Sequence, residues 1–124
     1  MRRLVTGLVV FLLAFTLLGA PGRSAFSGTY TVNGTSAAGA AYQGVLTIAP
    51  RGEIYDVHWA IGNVQYVGVG VVINETLAVT YSGATDRSWS GVIAYRQRGD
   101  GSLEGRTAIL GGAATAGRET AVRK

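Results

Sequence analysis

Few residues in this chain could do chemistry, and His58 is its only imidazole. Asp56 stands two positions earlier, so on an extended strand the two side chains share a face. Such a pair can orient an imidazole or supply two metal ligands. A zinc site wants three or four ligands, and with no cysteine and no second histidine the set is incomplete. Gly68-Val69-Gly70 has the first two glycines of a phosphate-cradling loop, but Ile73 stands where the third belongs and no helical pattern follows. Arg98-Gly99-Asp100 spells an adhesive tripeptide at an expected hairpin tip. Asp-Gly is also an ordinary turn pair, and Arg51-Gly52-Glu53 occupies a matching tip. These readings assign no catalytic residue, cofactor or metal, and the expectation is a non-enzymatic protein.

Aromatic and branched side chains are the remaining material for a site. Tyr55, Val57, Trp59 and Ile61 share one face of a strand, as do Leu77, Val79 and Tyr81, and Trp89, Ile93 and Tyr95. Packed together they make a core. If a barrel leaves space between them, Tyr55, Trp59, Trp89 and Tyr95 would line a mouth for a small apolar ligand. The run from Val64 to Ile73 is apolar on both faces, unlike its neighbours. Only one face can point inward in an isolated small barrel, so with Tyr66 inward the row Val67, Val69, Val71 and Ile73 would meet water as an interaction face. The alternative is a sandwich in which another segment, such as 111–122, covers that row.

These residues must be held by strands, because no window shows sustained helical periodicity. Period-two alternation predicts eight strands over 28–33, 42–49, 54–61, 64–73, 76–82, 89–97, 102–110 and 115–122. The connectors carry turn chemistry: Asn33-Gly34, Pro50-Arg51-Gly52, Gly62-Asn63, Asn74-Glu75, Gly99-Asp100-Gly101 and Gly111-Gly112. Sliding the chain by 47 positions aligns residues 29–53 with 76–100 and leaves seven identities, suggesting two four-stranded halves related by an internal repeat. The expected fold is all-β, an eight-stranded antiparallel meander closed into a small barrel, with a β-sandwich as the alternative.

Residues 1–25 read as a signal peptide. Met1-Arg2-Arg3 is positive, Leu4 to Leu18 is apolar but shorter than the roughly 20 residues of a spanning helix, and helix-breaking Gly19-Ala20-Pro21-Gly22 follows. Residues 26–124 then form a single all-β domain. The full chain carries 11 Lys+Arg against 7 Asp+Glu, but Arg2, Arg3 and Arg23 leave with the leader, so 8 − 7 gives +1. That near-neutral balance argues against nucleic acid as a partner. Without cysteines, a domain of this size has no disulfides to supplement its small core and must rely on burial and closed hydrogen bonding.

The run Gly28-Thr29-Tyr30-x-Val32-x-Gly34, Tyr42-x-Gly44-Val45-Leu46, Tyr55-x-Val57-x-Trp59-x-Ile61-Gly62, Gly68-x-Gly70 and Gly101-x-Leu103-x-Gly105 resembles a group of small exported bacterial β-proteins of uncharacterised function. Some of them carry the label fibronectin-binding protein, and they often have an aromatic residue where Thr107 stands here. The resemblance implies export and a β-fold, with no residue-level mechanism. The expected function is an exported binding or structural module (periplasmic, cell-surface or secreted). It would act through a surface strand on a protein or cell-envelope partner or on a second copy of itself, and would meet a membrane only during export. The alternative is a carrier of small apolar ligands with a barrel cavity. If the leader is removed on export, the intact mass of exported protein should correspond to a chain beginning near Ala25 or Phe26, and retention of Met1 would contradict the leader.

Overall fold

A computed structural model describes residues 25–124. The leader, apart from Ala25, lies outside the described residues. Eight strands follow in order: β1 (Gly28–Thr35), β2 (Ala41–Arg51), β3 (Ile54–Ile61), β4 (Val64–Ile73), β5 (Thr76–Gly83), β6 (Gly91–Gln97), β7 (Leu103–Ile109) and β8 (Gly117–Arg123). Each pairs antiparallel with the next, and β8 pairs back onto β1, from Tyr30 opposite Arg123 to Thr35 opposite Arg118. The result is a closed barrel and not a sandwich. Closure leaves no unpaired sheet edge, the hazard that a cysteine-free β-domain must otherwise manage.

Turn chemistry explains most of the meander. Asn74 and Glu75 both take positive φ, 49° and 66°, as a two-residue hairpin turn of type I′ requires. Gly52 and Gly62 supply left-handed positions at two other hairpins, with φ of 64° and 61°. Three expectations need correction. Pro50 and Arg51 pair within β2, opposite Tyr55 and Ile54, so that turn is Gly52-Glu53 alone. Asn33-Gly34 is not a turn but lies inside β1, and the chain reverses at 36–40, where the Ser36 N–H bonds the Ala40 carbonyl. Trp89 precedes β6, which begins at Gly91, so Trp89 lies on the link 84–90 and does not share a strand face with Ile93 and Tyr95.

Alternation along each strand sends one set of side chains inside. Tyr30, Val32, Leu46, Ile48, Val57, Leu77, Val79, Tyr95 and Leu103 are buried in the interior. The two ends of the barrel differ. At one end, residues 25–27 fold across the opening and Phe26 packs edge-on against Tyr55, with ring centroids 6.4 Å apart. The Tyr30 hydroxyl donates to the Phe26 carbonyl at 2.7 Å, and Arg123 donates to the carbonyls of Ala25 and Ser27. Gln97 adds a bond to the Ala25 carbonyl at 3.0 Å. This end is plugged. The other end, ringed by the links 36–40, 62–63, 84–90 and 110–116, has no such plug among the described residues.

Outside, the β4 row Val67, Val69, Val71 and Ile73 points away from the interior. Val69, Val71 and Ile73 are 40%, 51% and 66% exposed. The segment 111–122 leaves them exposed: its strand, β8, is paired between β7 and β1, and Ala116 of the preceding link borders the same outer depression as Val69 and Val71 without covering them. Val69→Lys should therefore fold normally and change stability by less than about 0.5 kcal/mol in thermal denaturation, as ordinary surface substitutions do. A variant that unfolds would mean the row is internal.

Candidate functional site

The interior next to the unplugged end is not filled. A cavity of about 460 Å³ lies there, lined by Tyr42, Trp59, Ile61, Tyr66, Tyr81, Trp89, Ile93, Ile109 and Thr107, with Ser36, Ala37, Ala40 and Ala41 at the loop side and Glu119 among the walls. Its aromatic side is continuous. Trp59 and Tyr81 have ring centroids 5.2 Å apart, while Tyr81 and Tyr66 each lie 5.9 Å from Trp89 in edge-to-face geometry. Such contacts hold the rings in place beyond the area they bury. Thr107 is tied down as well, exchanging a 2.7 Å hydrogen bond with the Tyr81 hydroxyl and donating to the Val92 carbonyl at 3.0 Å.

Glu119 is the unusual wall residue, an acidic side chain only 3% exposed. Strand register explains how it is held. On one side Glu119 pairs with Gly34 of β1, which itself pairs with Tyr42 of β2. On the other side Glu119 pairs with Gly105 of β7, which itself pairs with Tyr95 of β6. The row across five strands thus reads Tyr42, Gly34, Glu119, Gly105, Tyr95. A Cβ at Gly34 would collide with the Tyr42 ring and hydroxyl, and one at Gly105 would sit 2.9 Å from the Tyr95 ring. Because both glycines lack that atom, each tyrosine leans across its glycine toward the carboxyl. Tyr42 donates to Glu119 Oε1 at 2.7 Å, and Tyr95 donates a short bond to Oε2. The Trp59 indole N–H reaches the Tyr95 hydroxyl oxygen at 3.2 Å and Oε2 at 3.5 Å.

Two effects oppose each other at this carboxyl. Burial raises its pKa, whereas the bonds from Tyr95, Tyr42 and Trp59 lower it, and burial wins. Burial and the neighbouring carboxylate likewise push the Tyr95 and Tyr42 hydroxyls far above the ordinary phenol range, so both remain donors.

Sequence reasoning and structure meet here only in part. Trp59 and Trp89 line the cavity. Tyr55 does not: it lies four residues before Trp59, about 13 Å away along the strand, against the Phe26 plug. Tyr95 is fully buried beneath Glu119 and acts as its hydrogen-bond donor rather than as lining. Sequence reasoning misses Tyr42, Tyr66, Tyr81, Thr107 and Glu119 as lining residues. His58 points outward and is exposed, and its neighbour Asp56 is held by Arg51 at 2.6 Å instead. At the 98–102 tip the Asp100 carboxylate accepts from the Ser102 N–H and hydroxyl, at 3.0 and 2.6 Å, so it stabilises its own turn.

The raised pKa of Glu119 has a consequence for stability. The folded chain binds this proton more tightly than the unfolded chain, so the contribution is complete below the ordinary value of 4.5 and is lost as pH rises through the folded value. Asp56, Asp86, Asp100 and Glu104 are shifted the other way and act in the opposite sense on acidification. Comparison with Glu119→Gln removes them. The melting temperature of the wild type relative to this variant should fall as pH rises above 4.5; a difference independent of pH would contradict the assignment.

No family model and no curated protein matches the chain. Solved structures do. The chain is similar to the redesigned β-barrel mFAP1 bound to DFHBI (TM-score 0.67, 17% identity, 81% of this chain and 96% of that one). It is also similar to a de novo designed fluorescence-activating β-barrel (TM-score 0.62, 17% identity, 82% and 95%). A third similar structure is apo lipid binding protein 8 of Caenorhabditis elegans (TM-score 0.55, 11% identity, 82% and 96%). At these identities the likeness is one of fold, a small closed antiparallel barrel.

Proposed function

We infer that this protein binds a small, largely apolar molecule in the cavity at the unplugged end of its barrel. The observation that carries the reading is the cavity itself, about 460 Å³ of space walled by aromatic rings with one buried carboxyl. Pockets of a few hundred Å³ with apolar walls and few convergent polar groups are the usual form of small-molecule sites. Support of a second kind comes from the similar barrels, one of which is described as bound to DFHBI and another as a lipid binding protein. Binding, not catalysis, is the role proposed, and the leader would place it outside the cytoplasm. Docking on a protein or envelope partner through Val67, Val69, Val71 and Ile73 becomes the second reading. It is favoured by the exposure of that row, and sedimentation of wild type against Val69→Lys reads whether the partner is a second copy.

The cavity reading is tested with a neutral polarity-sensitive dye, Nile red, titrated into the protein. Saturable fluorescence enhancement is expected. Ala37→Trp, which places an indole from the 36–40 loop at the cavity, should weaken dye affinity by about tenfold or more, roughly 1.4 kcal/mol, while leaving the melting temperature nearly unchanged. Absence of saturable binding, or equal binding by the blocked variant, would overturn it.

A further inference from the structure

Resting on the cavity reading, we propose that the preferred ligand is a small aromatic or apolar molecule carrying a protonated amine, with its N–H directed at Glu119, and that carboxylates are rejected.

Three observations converge on this. First, the acid has no counter-charge. Among the described residues the buried polar or charged side chains are Ser102, Thr107 and Glu119, so no buried lysine, arginine or histidine stands with it. The two salt bridges of the described residues, Arg51 with Asp56 and Arg96 with Glu104, lie on the exterior. Buried charges are ordinarily paired, and here the only partners are neutral donors. Second, the carboxylate has capacity left. Two oxygens offer about four acceptor positions, and the donors are one on Oε1 (Tyr42) and two on Oε2 (Tyr95 and the longer contact from Trp59). Since Glu119 itself lines the cavity, a ligand N–H can take a remaining position on its carboxylate. Third, the other walls suit a cation on an organic body. Trp59, Tyr66, Tyr81 and Trp89 supply π-systems that attract ammonium groups while burying an apolar remainder.

The same charge distribution works against an anionic head group. A carboxylate ligand entering this space would meet the Glu119 acid with no interior cation among the described residues to offset the repulsion. The groups that face Glu119 are Tyr42 from β2, Trp59 from β3, Tyr81 from β5 and Tyr95 from β6, with glycine on both adjoining strands. None of them is cationic. Burial raises the pKa of Glu119 above its ordinary value, and an ammonium pairs best with the ionised form, so its affinity should rise with pH until Glu119 is ionised.

The test uses three probes of one shape: 1-naphthylmethylammonium, 1-naphthalenemethanol and 1-naphthoate, titrated calorimetrically into the protein near neutral pH. The ammonium should bind about tenfold or more tightly than the alcohol, and the naphthoate more weakly than both. Glu119→Gln should remove most of the ammonium's advantage over the alcohol. In the wild type, ammonium affinity should climb from acid to neutral pH and alcohol affinity should not, a readout that remains if the glutamine variant fails to fold. Alcohol binding without an ammonium advantage, or naphthoate binding as well as the ammonium, would overturn the amine preference and leave the cavity reading standing. Failure of all three probes to bind would overturn both.

Discussion

Everything in this molecule depends on how β8 closes the barrel. It must slot between β1 and β7, and its inward residues are Gly117, Glu119 and Ala121. Two of these are small and one is an acid. At Gly117 a Cβ would come within 2.6 Å of the Thr35 carbonyl, so the closing strand approaches its neighbour as nearly as the backbone allows. The acid then enters an interior with no buried cation among the described residues, and the neighbouring strands meet that demand with glycines. Gly34 and Gly105 flank it, and the tyrosines one strand further out cover the gaps. Closure, glycine placement and polar satisfaction are one arrangement, because removing any of them leaves a buried carboxyl without donors.

The plugged and unplugged ends divide the work between them. At the plugged end the chain fills the interior with Phe26 and Tyr55 and closes it with bonds from Tyr30, Arg123 and Gln97, and no cavity needs to be maintained there. At the other end Trp59, Tyr81, Trp89 and Tyr66 brace one another from β3, β5, β4 and the 84–90 link, so their rings stay spread around empty space. A wall whose members are already fixed by ring contacts loses little further freedom when a ligand arrives, which favours binding.

Much of the architecture could be read from alternation and turn residues alone. The strands β3 and β4 coincide with their expected limits, and Asn74-Glu75 and Gly62-Asn63 turn as their chemistry suggests. The site was less legible. Period two tells which face a side chain takes, but not its height along the barrel axis, which depends on strand tilt and shear. Tyr55 and Trp59 share a face, yet one belongs to the plug and the other to the cavity. Asn33-Gly34 has the composition of a turn, but Gly34 sits in β1 because the space beside Glu119 is needed by the Tyr42 ring. Glu119 itself is easily passed over among scattered charges. Its signal is phase: Gly117-x-Glu119-x-Ala121 places the acid with the small residues, although the alternate row, Arg118, Thr120 and Val122, is too mixed to settle which face is inward.

Glu119 and the cavity are each unfavourable for folding. A buried carboxyl loses hydration, and the donors Tyr42, Tyr95 and Trp59 offset that loss only in part, since burial still raises its pKa. Unfilled space likewise forfeits the dispersion contacts that a packed interior would supply. This chain had the means to avoid both. Its plugged end is filled by aromatic and aliphatic side chains, and its other seven strands send no acid inward among the described residues. Two departures from good packing coincide at one end, surrounded by braced rings and dedicated donors, and this pattern supports the binding reading proposed above. On the proposed reading each departure also explains the other: the cavity would bring an occupant to the acid, and the acid would decide which occupant stays.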